Sequence, residues 1–297
     1  MSDPFRSGFV AIVGKPNVGK STLLNALVGE KISIVSSKPA TTRDKILGIR
    51  HFSGGQICFV DTPGIFRPEV LLTKLMVRRA TESLLEADLV VTVIQAFGLE
   101  KEDERVFQLL PKGSEIPILL AINKVDRVEK ETLLPLIEKS QRAYPFREII
   151  PISAKTGDQI DVLLKKIVDY LPQGVPYYPG ETTTDRPREF VVRELIREKI
   201  LEITYQEVPY SVAVLMEEMQ ERRENLLYLR ATIFVERESQ KGILIGDRGE
   251  MLKRIGQRAR KDLENRLQKK VFLELWVKVL RNWRKDPEAL KRLGYLS

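Results

Sequence analysis

The feature that most constrains the fold of this chain is the segment from Gly14 to Ser21, G-K-P-N-V-G-K-S, which matches the pattern G-x-x-x-x-G-K-S at every fixed position. An apolar run at residues 9–13 precedes it, and a helix-like stretch from Thr22 follows it. A strand, a glycine loop and a helix in this order predict a loop that binds phosphate oxygens through backbone N–H groups and a helix N-terminus. We expect Lys20 to reach the β and γ phosphates and the Ser21 hydroxyl to bind Mg²⁺. The alternative is a glycine turn without a ligand.

The residues after two later strands indicate which nucleotide is bound. N-K-V-D at residues 123–126 follows the apolar run at 118–122, about 100 residues after the phosphate loop. An aspartate at position 126 can accept hydrogen bonds from guanine N1–H and the 2-amino group, whereas adenine would leave that carboxylate unpaired. S-A-K at residues 153–155 follows another strand and fits a last base-contacting loop. The predicted residues for GTP and GDP are Gly14, Lys15, Pro16, Asn17, Val18, Gly19, Lys20, Ser21, Thr22, Asp61, Gly64, Asn123, Lys124, Asp126, Ser153, Ala154 and Lys155.

Two segments between these loops predict the metal site. D-T-P-G at residues 61–64 follows an apolar strand, so we expect Asp61 to hold Mg²⁺ through water and the Gly64 N–H to bind the γ phosphate. P-A-T-T-R-D at residues 39–44 is polar and suits a mobile switch that becomes ordered around γ phosphate and Mg²⁺. One of its threonines would complete the metal ligands, and Thr42 is favoured over Thr41. The predicted Mg²⁺ residues are Ser21, Thr42 and Asp61.

The predicted hydrolysis machinery lacks one familiar residue. Ras-like GTPases place a Gln after the D-x-x-G glycine to orient the attacking water, but this chain has Ile65 there. Hydrolysis must therefore be slow or use another device. The chain resembles GTPases that combine N-x-G-K-S with a T-T-R switch, in which the Asn holds a potassium ion together with switch backbone; alternatively, Asn17 merely shapes the loop. The predicted catalytic residues are Asn17, Lys20, Thr42 and Gly64.

The positive charge of the chain lies near its C-terminal end. Residues 241–297 contain 16 basic and 7 acidic residues, a net charge of +9, whereas the whole chain carries +8 and residues 1–240 therefore carry −1. A basic block on a folded domain is the electrostatic footprint of nucleic-acid binding. An ordinary solvated helix face is the alternative.

The length of 297 residues predicts about two domains, and a boundary is visible at residues 171–187, which are rich in proline and glycine. Upstream, strands that start near Phe9, Ile57, Leu89, Ile118 and Glu148 alternate with helices in a parallel α/β rhythm. We predict a GTPase domain at 1–174, a linker at 175–187 and a smaller α+β domain with a C-terminal helix at 188–297. The adjacent tyrosines at 177 and 178 either stack on a base or pin the linker to a domain surface.

Downstream of the linker the element order changes to α-β-β-α-α-β. A helix at residues 189–204 precedes strands at 210–214 and 226–236, and a basic helix at 251–268 precedes a last strand at 271–279. I-G-D-R-G, at residues 245–249, lies between the two consecutive helices of this order, directly before the basic helix. The arrangement resembles a type-II KH domain, whose glycine loop clamps the backbone of about four single-stranded nucleotides. A plain helix–helix turn is the alternative. The predicted RNA-binding residues are Gly246, Asp247, Arg248, Gly249, Lys253, Arg254, Arg258 and Lys261. Trp276, on the last strand, is expected to pack against a neighbouring element rather than to stack on a base.

The composition, 43% hydrophobic and 30% charged, is that of a soluble globular protein, and the single cysteine, Cys58, excludes an intramolecular disulfide framework. No apolar run approaches 18 residues, and residues 1–6 lack an apolar signal segment, so a cytoplasmic location is expected.

A P-loop GTPase domain with a mostly parallel sheet, joined by a Pro-rich linker to a KH domain, resembles the Era family of bacterial GTPases over nearly the whole chain. The resemblance implies a monomeric, GTP-dependent factor for small-subunit maturation that binds the 3′ region of 16S rRNA, and some members associate with the inner membrane. Two rival classes are a GTP-binding module without meaningful hydrolysis and a membrane-surface signalling GTPase. The complete Mg²⁺ set argues against the first, and the glycine clamp favours RNA over lipid.

Overall fold

The computed structural model describes residues 4–113 and 115–296. These residues divide into two compact units. The first unit takes in the described residues up to Glu69 together with Thr73–Asp185, and the second takes in Val70–Leu72 together with the described residues from Arg186 onward.

Six strands form the sheet of the first unit: β1 (Arg6–Val13), β2 (Ile46–Phe52), β3 (Gly55–Asp61), β4 (Leu89–Gln95), β5 (Ile118–Asn123) and β6 (Glu148–Ile152). Their order is β2-β3-β1-β4-β5-β6, and every neighbouring pair is parallel except β2 with β3. The chain therefore reverses its direction of winding at β1, which lies between β3 and β4. Ligands of such sheets bind at the carboxyl ends of the strands beside this reversal, which is where β1, β3 and β5 deliver the predicted motifs.

Five helices alternate with these strands: α1 (Lys20–Val28), α2 (Leu71–Leu85), α3 (Lys101–Leu109), α4 (Leu133–Ala143) and α5 (Ile160–Tyr170). The central strands β4 and β5 are buried along almost their whole length. Continuous apolar strands of this kind are expected where helices cover both faces of a parallel sheet. The mostly parallel α/β fold predicted from the sequence is confirmed.

The linker tyrosines are held against the first unit. Gln56 Oε1 accepts hydrogen bonds from the backbone N–H groups of Tyr177 and Tyr178 at 2.9 and 3.1 Å, and Gln56 Nε2 donates to the Tyr178 carbonyl at 2.8 Å. The Tyr177 ring lies 5.0 Å from that of Phe9. Of the two sequence alternatives for this pair, the structure supports attachment to a domain surface.

The second unit contains α6 (Arg188–Ile203), α7 (Val208–Ser211), β7 (Ala213–Arg223), β8 (Leu226–Val235), α8 (Glu238–Ile245), α9 (Glu250–Leu267), β9 (Lys270–Val279) and α10 (Pro287–Arg292). Its sheet has the order β7-β8-β9, with β7 antiparallel and β9 parallel to β8. Apolar residues of α6 and α9 pack with those of the three strands in one core. The predicted α+β domain is confirmed.

The antiparallel edge strand β2 was not predicted, and two expectations about individual residues or elements were wrong. A strand was predicted at 210–214, but the chain first forms α7 there. Pro209 lies in the first turn of this helix, and its fixed φ favours a helix start. Trp276 is 54% exposed instead of packed, whereas Trp283 is fully buried and donates to the Ser211 carbonyl at 2.8 Å.

Candidate nucleotide site and nucleic-acid interface

The phosphate loop between β1 and α1 adopts a conformation that its glycines allow. Gly14 and Gly19 have φ angles of 154° and 99°. A Cβ atom at Gly14 would lie 2.4 Å from the Val93 carbonyl oxygen, and one at Gly19 would lie 2.4 Å from Asn123 Nδ2. A side chain at Gly14 would displace the backbone of β4, and one at Gly19 would displace the Asn123 side chain at the end of β5. The loop is thus fixed closely against the two central strands.

Lys20 lies at the floor of this loop. Its Nζ donates to the carbonyls of Gly14 at 3.1 Å and Lys15 at 2.9 Å. Burial lowers the pKa of Lys20 to about 8, and the nearby charge of Asp61 opposes that shift only in part. An anion bound in the loop would supply the negative charge that the buried ammonium group lacks.

The three residues predicted to hold Mg²⁺ converge. Asp61 Oδ2 accepts hydrogen bonds from Ser21 Oγ at 2.7 Å and Thr42 Oγ1 at 3.4 Å, and the two hydroxyl oxygens are 2.9 Å apart. Thr41, the other candidate, instead donates to the Lys38 carbonyl. Sequence reasoning missed Ser33, whose Oγ donates to Asp61 Oδ2 at 3.1 Å. No pattern in its irregular segment marks that residue.

Asp61 is the centre of this cluster and is fully buried. Its second carboxylate oxygen, Oδ1, has no hydrogen-bond partner among the described residues. Burial raises the pKa of Asp61, while Lys20 and the three hydroxyl groups act in the opposite direction. A buried carboxylate with one orphaned oxygen, beside two hydroxyl oxygens, fits a hard divalent cation that prefers oxygen ligands.

The predicted base-contacting loops are joined to the phosphate loop through Asn123. Asn123 Nδ2 donates to the Val18 carbonyl at 2.7 Å, and Oδ1 accepts from the backbone N–H groups of Lys124 at 2.8 Å and Ala154 at 2.9 Å. Asn123 therefore organises the neighbouring loops from behind the site and does not line the cleft.

The lysine and the aspartate of N-K-V-D are also held in place by hydrogen bonds. Asp126 Oδ1 accepts from Ser153 Oγ at 2.6 Å, which orients the carboxylate. Lys124 Nζ donates to the Asn17 carbonyl at 2.7 Å, and Gln95 Nε2 donates to the same oxygen at 2.8 Å. Asn17 has φ 64°, a left-handed conformation, and these two donors help to fix it.

A cleft of about 540 Å³ opens over these residues. The predicted residues that line it are Pro16, Asn17, Gly19, Lys20, Ser21, Thr22, Thr42, Gly64, Lys124 and Lys155. The other predicted residues are not among those that line the cleft: Gly14, Lys15, Val18, Asp61, Asn123, Asp126, Ser153 and Ala154. Of these, Asp126 is exposed and lies in the chain between the lining residues Lys124 and Arg127. Arg127 also lines the cleft and was missed, because a single arginine after N-K-V-D carries no pattern.

Lys15 points away from the cleft. Its Nζ lies 2.7 Å from Glu100 Oε2 and 2.9 Å from Asp103 Oδ2. Burial would lower the pKa of Lys15, but its hydrogen bonds to both carboxylates outweigh that effect and raise it. Any contact of Lys15 with phosphate would therefore come from its backbone, while its side chain ties the loop to the start of α3.

Ile65 is 5% exposed and packs in the core with Ala11, Val13 and Leu84. Its backbone N–H donates to the Gly14 carbonyl at 3.1 Å. The side chain that follows the D-T-P-G glycine is thus a core residue and cannot orient water.

The loop between α8 and α9 contains two glycines in different environments. Gly246 has φ 72° and ψ −179°, and a Cβ there would lie 2.7 Å from Met251 Cβ. Gly249 has φ 82° and ψ 7°, and a Cβ there would meet nothing within 4 Å. Gly246 is therefore required for the internal packing of the loop, whereas Gly249 faces open space. The tip residue Arg248 also has a positive φ of 45°.

The basic residues of α9 lie on its outer face. Ile255, Ala259 and Leu263 are buried in the core at a spacing of four residues. The four predicted contact residues of this helix are all exposed, and they are Lys253, Arg254, Arg258 and Lys261. Lys253 and Arg254 are in the turns next to the glycine loop, while Lys261 is 12 residues beyond Gly249, about 18 Å along the helix. These side chains extend the loop into a basic surface.

A phosphate loop, an N-K-x-D loop and a convergent Ser–Thr–Asp set on a parallel sheet define a P-loop GTPase, and the second unit with its G-x-x-G loop defines a KH domain. Two family models match accordingly. The one described as 50S ribosome-binding GTPase matches residues 9–124, and the one described as KH domain matches residues 207–284.

The chain belongs to the Era family and is a GTPase with a KH RNA-binding domain. It is 49% identical over 291 residues to GTPase Era of Geotalea uraniireducens (strain Rf4), covering 98% of each chain. It is 51% identical over 290 residues to GTPase Era of Lactobacillus delbrueckii subsp. bulgaricus (strain ATCC BAA-365 / Lb-18), covering 98% of this chain and 96% of the relative.

Two solved structures are similar over nearly the whole chain, each with a TM-score of 0.95 and 44% identity, covering 99% of this chain and 100% of the other. One is Era in complex with MgGDPNP and nucleotides 1506-1542 of 16S ribosomal RNA. The other is a variant of Aquifex aeolicus Era bound to GDP.AlF4-. Within the described part of the present chain, no helix has the length and apolar character needed to cross a bilayer.

Proposed function

We propose that this GTPase binds GTP with Mg²⁺ in the cleft, hydrolyses it slowly with the help of a monovalent cation, and couples that cycle to binding of the 3′ region of 16S rRNA during assembly of the small ribosomal subunit. The observation that carries the proposal is the convergence of Ser21, Thr42 and Asp61 beside the phosphate loop, with Asp126 fixed on the base side. The proposed domain limits are 1–174 and 188–297, with a linker at 175–187.

Ser21 and Thr42 would bind Mg²⁺ through their hydroxyl oxygens, and Asp61 would hold it through water. When bound, Mg²⁺ neutralises charge on the β- and γ-phosphate oxygens. Lys20 would turn from the loop carbonyls to the phosphates. The Gly64 N–H would contact the γ phosphate. A Cβ at Gly64 would lie 2.8 Å from the Pro16 nitrogen, so D-T-P-G can lie this close to the phosphate loop only because residue 64 is glycine.

Lys20 should take up protons from solution when nucleotide binds. Because its pKa is about 8 without nucleotide and bound phosphates raise it, nucleotide binding near pH 8 should take up about half a proton, and uptake should vanish well below that pH. Affinity should accordingly decline as the pH rises through 8. Calorimetry of GDP binding in two buffers with different heats of ionisation measures the uptake. An equal apparent enthalpy in both buffers at pH 8 would contradict the assignment.

Asn17 would supply the missing contribution to hydrolysis. Its Nδ2 donates to the Ser37 carbonyl at 2.9 Å, so the amide meets the backbone that leads into the switch segment at the edge of the cleft. A potassium ion held by the amide oxygen and switch carbonyls would fit there, and when bound it offsets charge that develops between the β and γ phosphates.

The cation proposal predicts faster GTP hydrolysis in potassium chloride than in sodium chloride at equal ionic strength. Asn17→Ala should abolish that difference. Because alanine costs about 1–2 kcal/mol in the left-handed conformation of residue 17, GDP affinity should fall by at most roughly five- to thirtyfold, and the comparison of the two salts is made at saturating GTP. Steady-state phosphate release in both salts is the measurement. Equal parent rates, or persistent potassium stimulation of the variant, would remove Asn17 from this role.

For the RNA, we propose that Gly246, Asp247, Arg248 and Gly249 form the clamp and that the exposed basic residues of α9 bind phosphates. Similarity to the Era structure with 16S nucleotides supports this target. The same basic face would serve in peripheral contact of a cytoplasmic protein with the inner membrane. The test is crosslinking in cells with sequencing of the bound RNA, joined to a binding comparison between 16S 3′ RNA and anionic vesicles. Enrichment of the 16S 3′ region supports the proposal, and vesicle binding without RNA binding contradicts it.

A further inference from the structure

The residues directly after Thr42 are charged yet buried, although the polar segment was expected to be a mobile switch. Arg43 is 4% exposed and Asp44 is 8% exposed. Both are held by Arg79, which lies on α2. Arg79 Nη1 donates to the Arg43 carbonyl at 3.0 Å, and the same guanidinium forms an ion pair with the Asp44 carboxylate. The end of the switch segment is therefore fastened to this helix.

Arg79 is presented by a well-anchored part of α2. Its helix neighbours Met76, Ala80 and Leu84 are each at most 1% exposed, so this face of the helix is fixed in the core. The same helix follows D-T-P-G in the chain, after the connection at residues 65–70. A guanidinium on a rigid helix that begins downstream of Asp61 thus holds the backbone carbonyl one residue after Thr42 and the carboxylate two residues after it.

We propose that Asp44 and Arg79 are positioning residues for GTP hydrolysis: their ion pair holds Thr42 over the metal site and links the switch segment to α2. This inference rests on the proposed role of Thr42. Neither residue lines the cleft, and Arg79 reaches the switch segment at the Arg43 carbonyl and the Asp44 carboxylate, so we assign both residues an effect through Thr42. Since the switch threonine acts only when γ phosphate and Mg²⁺ are bound, the pair should favour GTP over GDP.

Asp44→Asn leaves the hydrogen bond from Arg79 to the Arg43 carbonyl in place, whereas Arg79→Gln removes both contacts. If the pair acts as one unit, the two losses should not add, and the double variant should lose about as much as Arg79→Gln alone. A neighbouring pair provides a matched control. Lys45 Nζ and Glu86 Oε2 are 3.0 Å apart and join the same segment to the chain just beyond α2, but the Glu86 side chain is 72% exposed.

The experiment measures affinity for a non-hydrolysable GTP analogue and for GDP in Mg²⁺, kcat for GTP, and hydrogen exchange of backbone amides at residues 41–45. We expect D44N, R79Q and the double variant to lose roughly tenfold in analogue affinity and kcat, with GDP affinity within roughly twofold and faster exchange at 41–45. K45Q should match the parent protein. Arg79→Lys keeps the positive charge, so it should lose less analogue affinity and kcat than Arg79→Gln.

Thr42→Ala distinguishes a failure of the Asp44–Arg79 inference from a failure of the proposed metal site. If T42A loses the preference for the GTP analogue while D44N and R79Q retain it, the inference is overturned and the site stands. If T42A retains the preference, the proposed metal site itself is wrong. Equal losses for GDP and the analogue in D44N would mean that the pair only stabilises the fold, which also overturns the inference. Should D44N fail to fold, R79Q and R79K give the same comparison.

Discussion

Asp126→Asn should convert this GTPase into one that prefers xanthosine triphosphate. The Asp126 carboxylate is oriented by Ser153 Oγ at 2.6 Å, and we propose that it accepts from guanine N1–H and the 2-amino group. An amide at this position presents a donor where guanine also donates, so GTP affinity should fall by roughly 3–5 kcal/mol, a hundred- to several-thousandfold. Xanthine has a 2-oxo group, which accepts from the new amide, so its triphosphate should bind.

Competition titrations with labelled GDP measure both affinities. Asp161→Asn is a matched control, because it makes the same isosteric change at an exposed residue in the first turn of α5 and should leave the specificity unchanged. If the Asp126 variant keeps the GTP affinity of the parent protein, another group reads the base and the assignment of N-K-V-D fails.

Much of the first unit could be predicted because each motif directly follows a strand, and parallel strands end at the same edge of the sheet. The strands predicted to start at Leu89, Ile118 and Glu148 begin at those residues. Each is a short apolar run followed by polar residues, and parallel strands deliver such residues to one side of the sheet. The order of the motifs along the chain was therefore enough to place the loops side by side.

What the sequence could not predict depends on contacts between distant residues. β2 follows the irregular switch segment and pairs with a strand on one side only, while on its other edge the Ile49 N–H donates to the Thr183 carbonyl. Its apolar residues are interrupted by glycine, arginine and histidine, so no regular alternation marks the strand. The burial of Asp44 depends on Arg79, 35 residues further along. Lys15 fits the phosphate-loop pattern, yet its side chain is directed to Glu100 and Asp103, because carboxylates at the start of α3 approach it there.

The glycine loop of the KH domain also contains a difference that the sequence pattern does not show. From the pattern, Gly246 and Gly249 are equivalent, and Gly246→Asp is the obvious substitution to block backbone approach with the fold preserved. The structure makes that choice unsuitable. The φ and ψ of Gly246 are those that essentially only glycine adopts, and any Cβ would collide with Met251, so this variant would disturb the loop itself.

Gly249→Asp should instead weaken RNA binding strongly while the domain remains folded. Its left-handed φ and ψ are tolerated by Asp and Asn at a cost of about 1–2 kcal/mol, and its Cβ would project into open space. That space is where an RNA backbone would approach, so a carboxylate there meets phosphates directly. Like charges in contact cost several kcal/mol, and we expect affinity for a short 16S 3′ RNA to fall by roughly a hundredfold.

Gly249→Asn is the matched control, since it has the same shape and backbone preference without the charge, and it should lose clearly less affinity than Gly249→Asp. Fluorescence anisotropy with the labelled RNA measures binding, and circular dichroism with thermal unfolding checks the fold. Raising the salt concentration should weaken RNA binding by all three proteins, because contacts between the basic face of α9 and RNA phosphates contribute to the affinity of each. A folded Gly249→Asp protein that binds the RNA as tightly as the parent would exclude the loop as the clamp, and the basic face of α9 alone would then have to account for RNA binding.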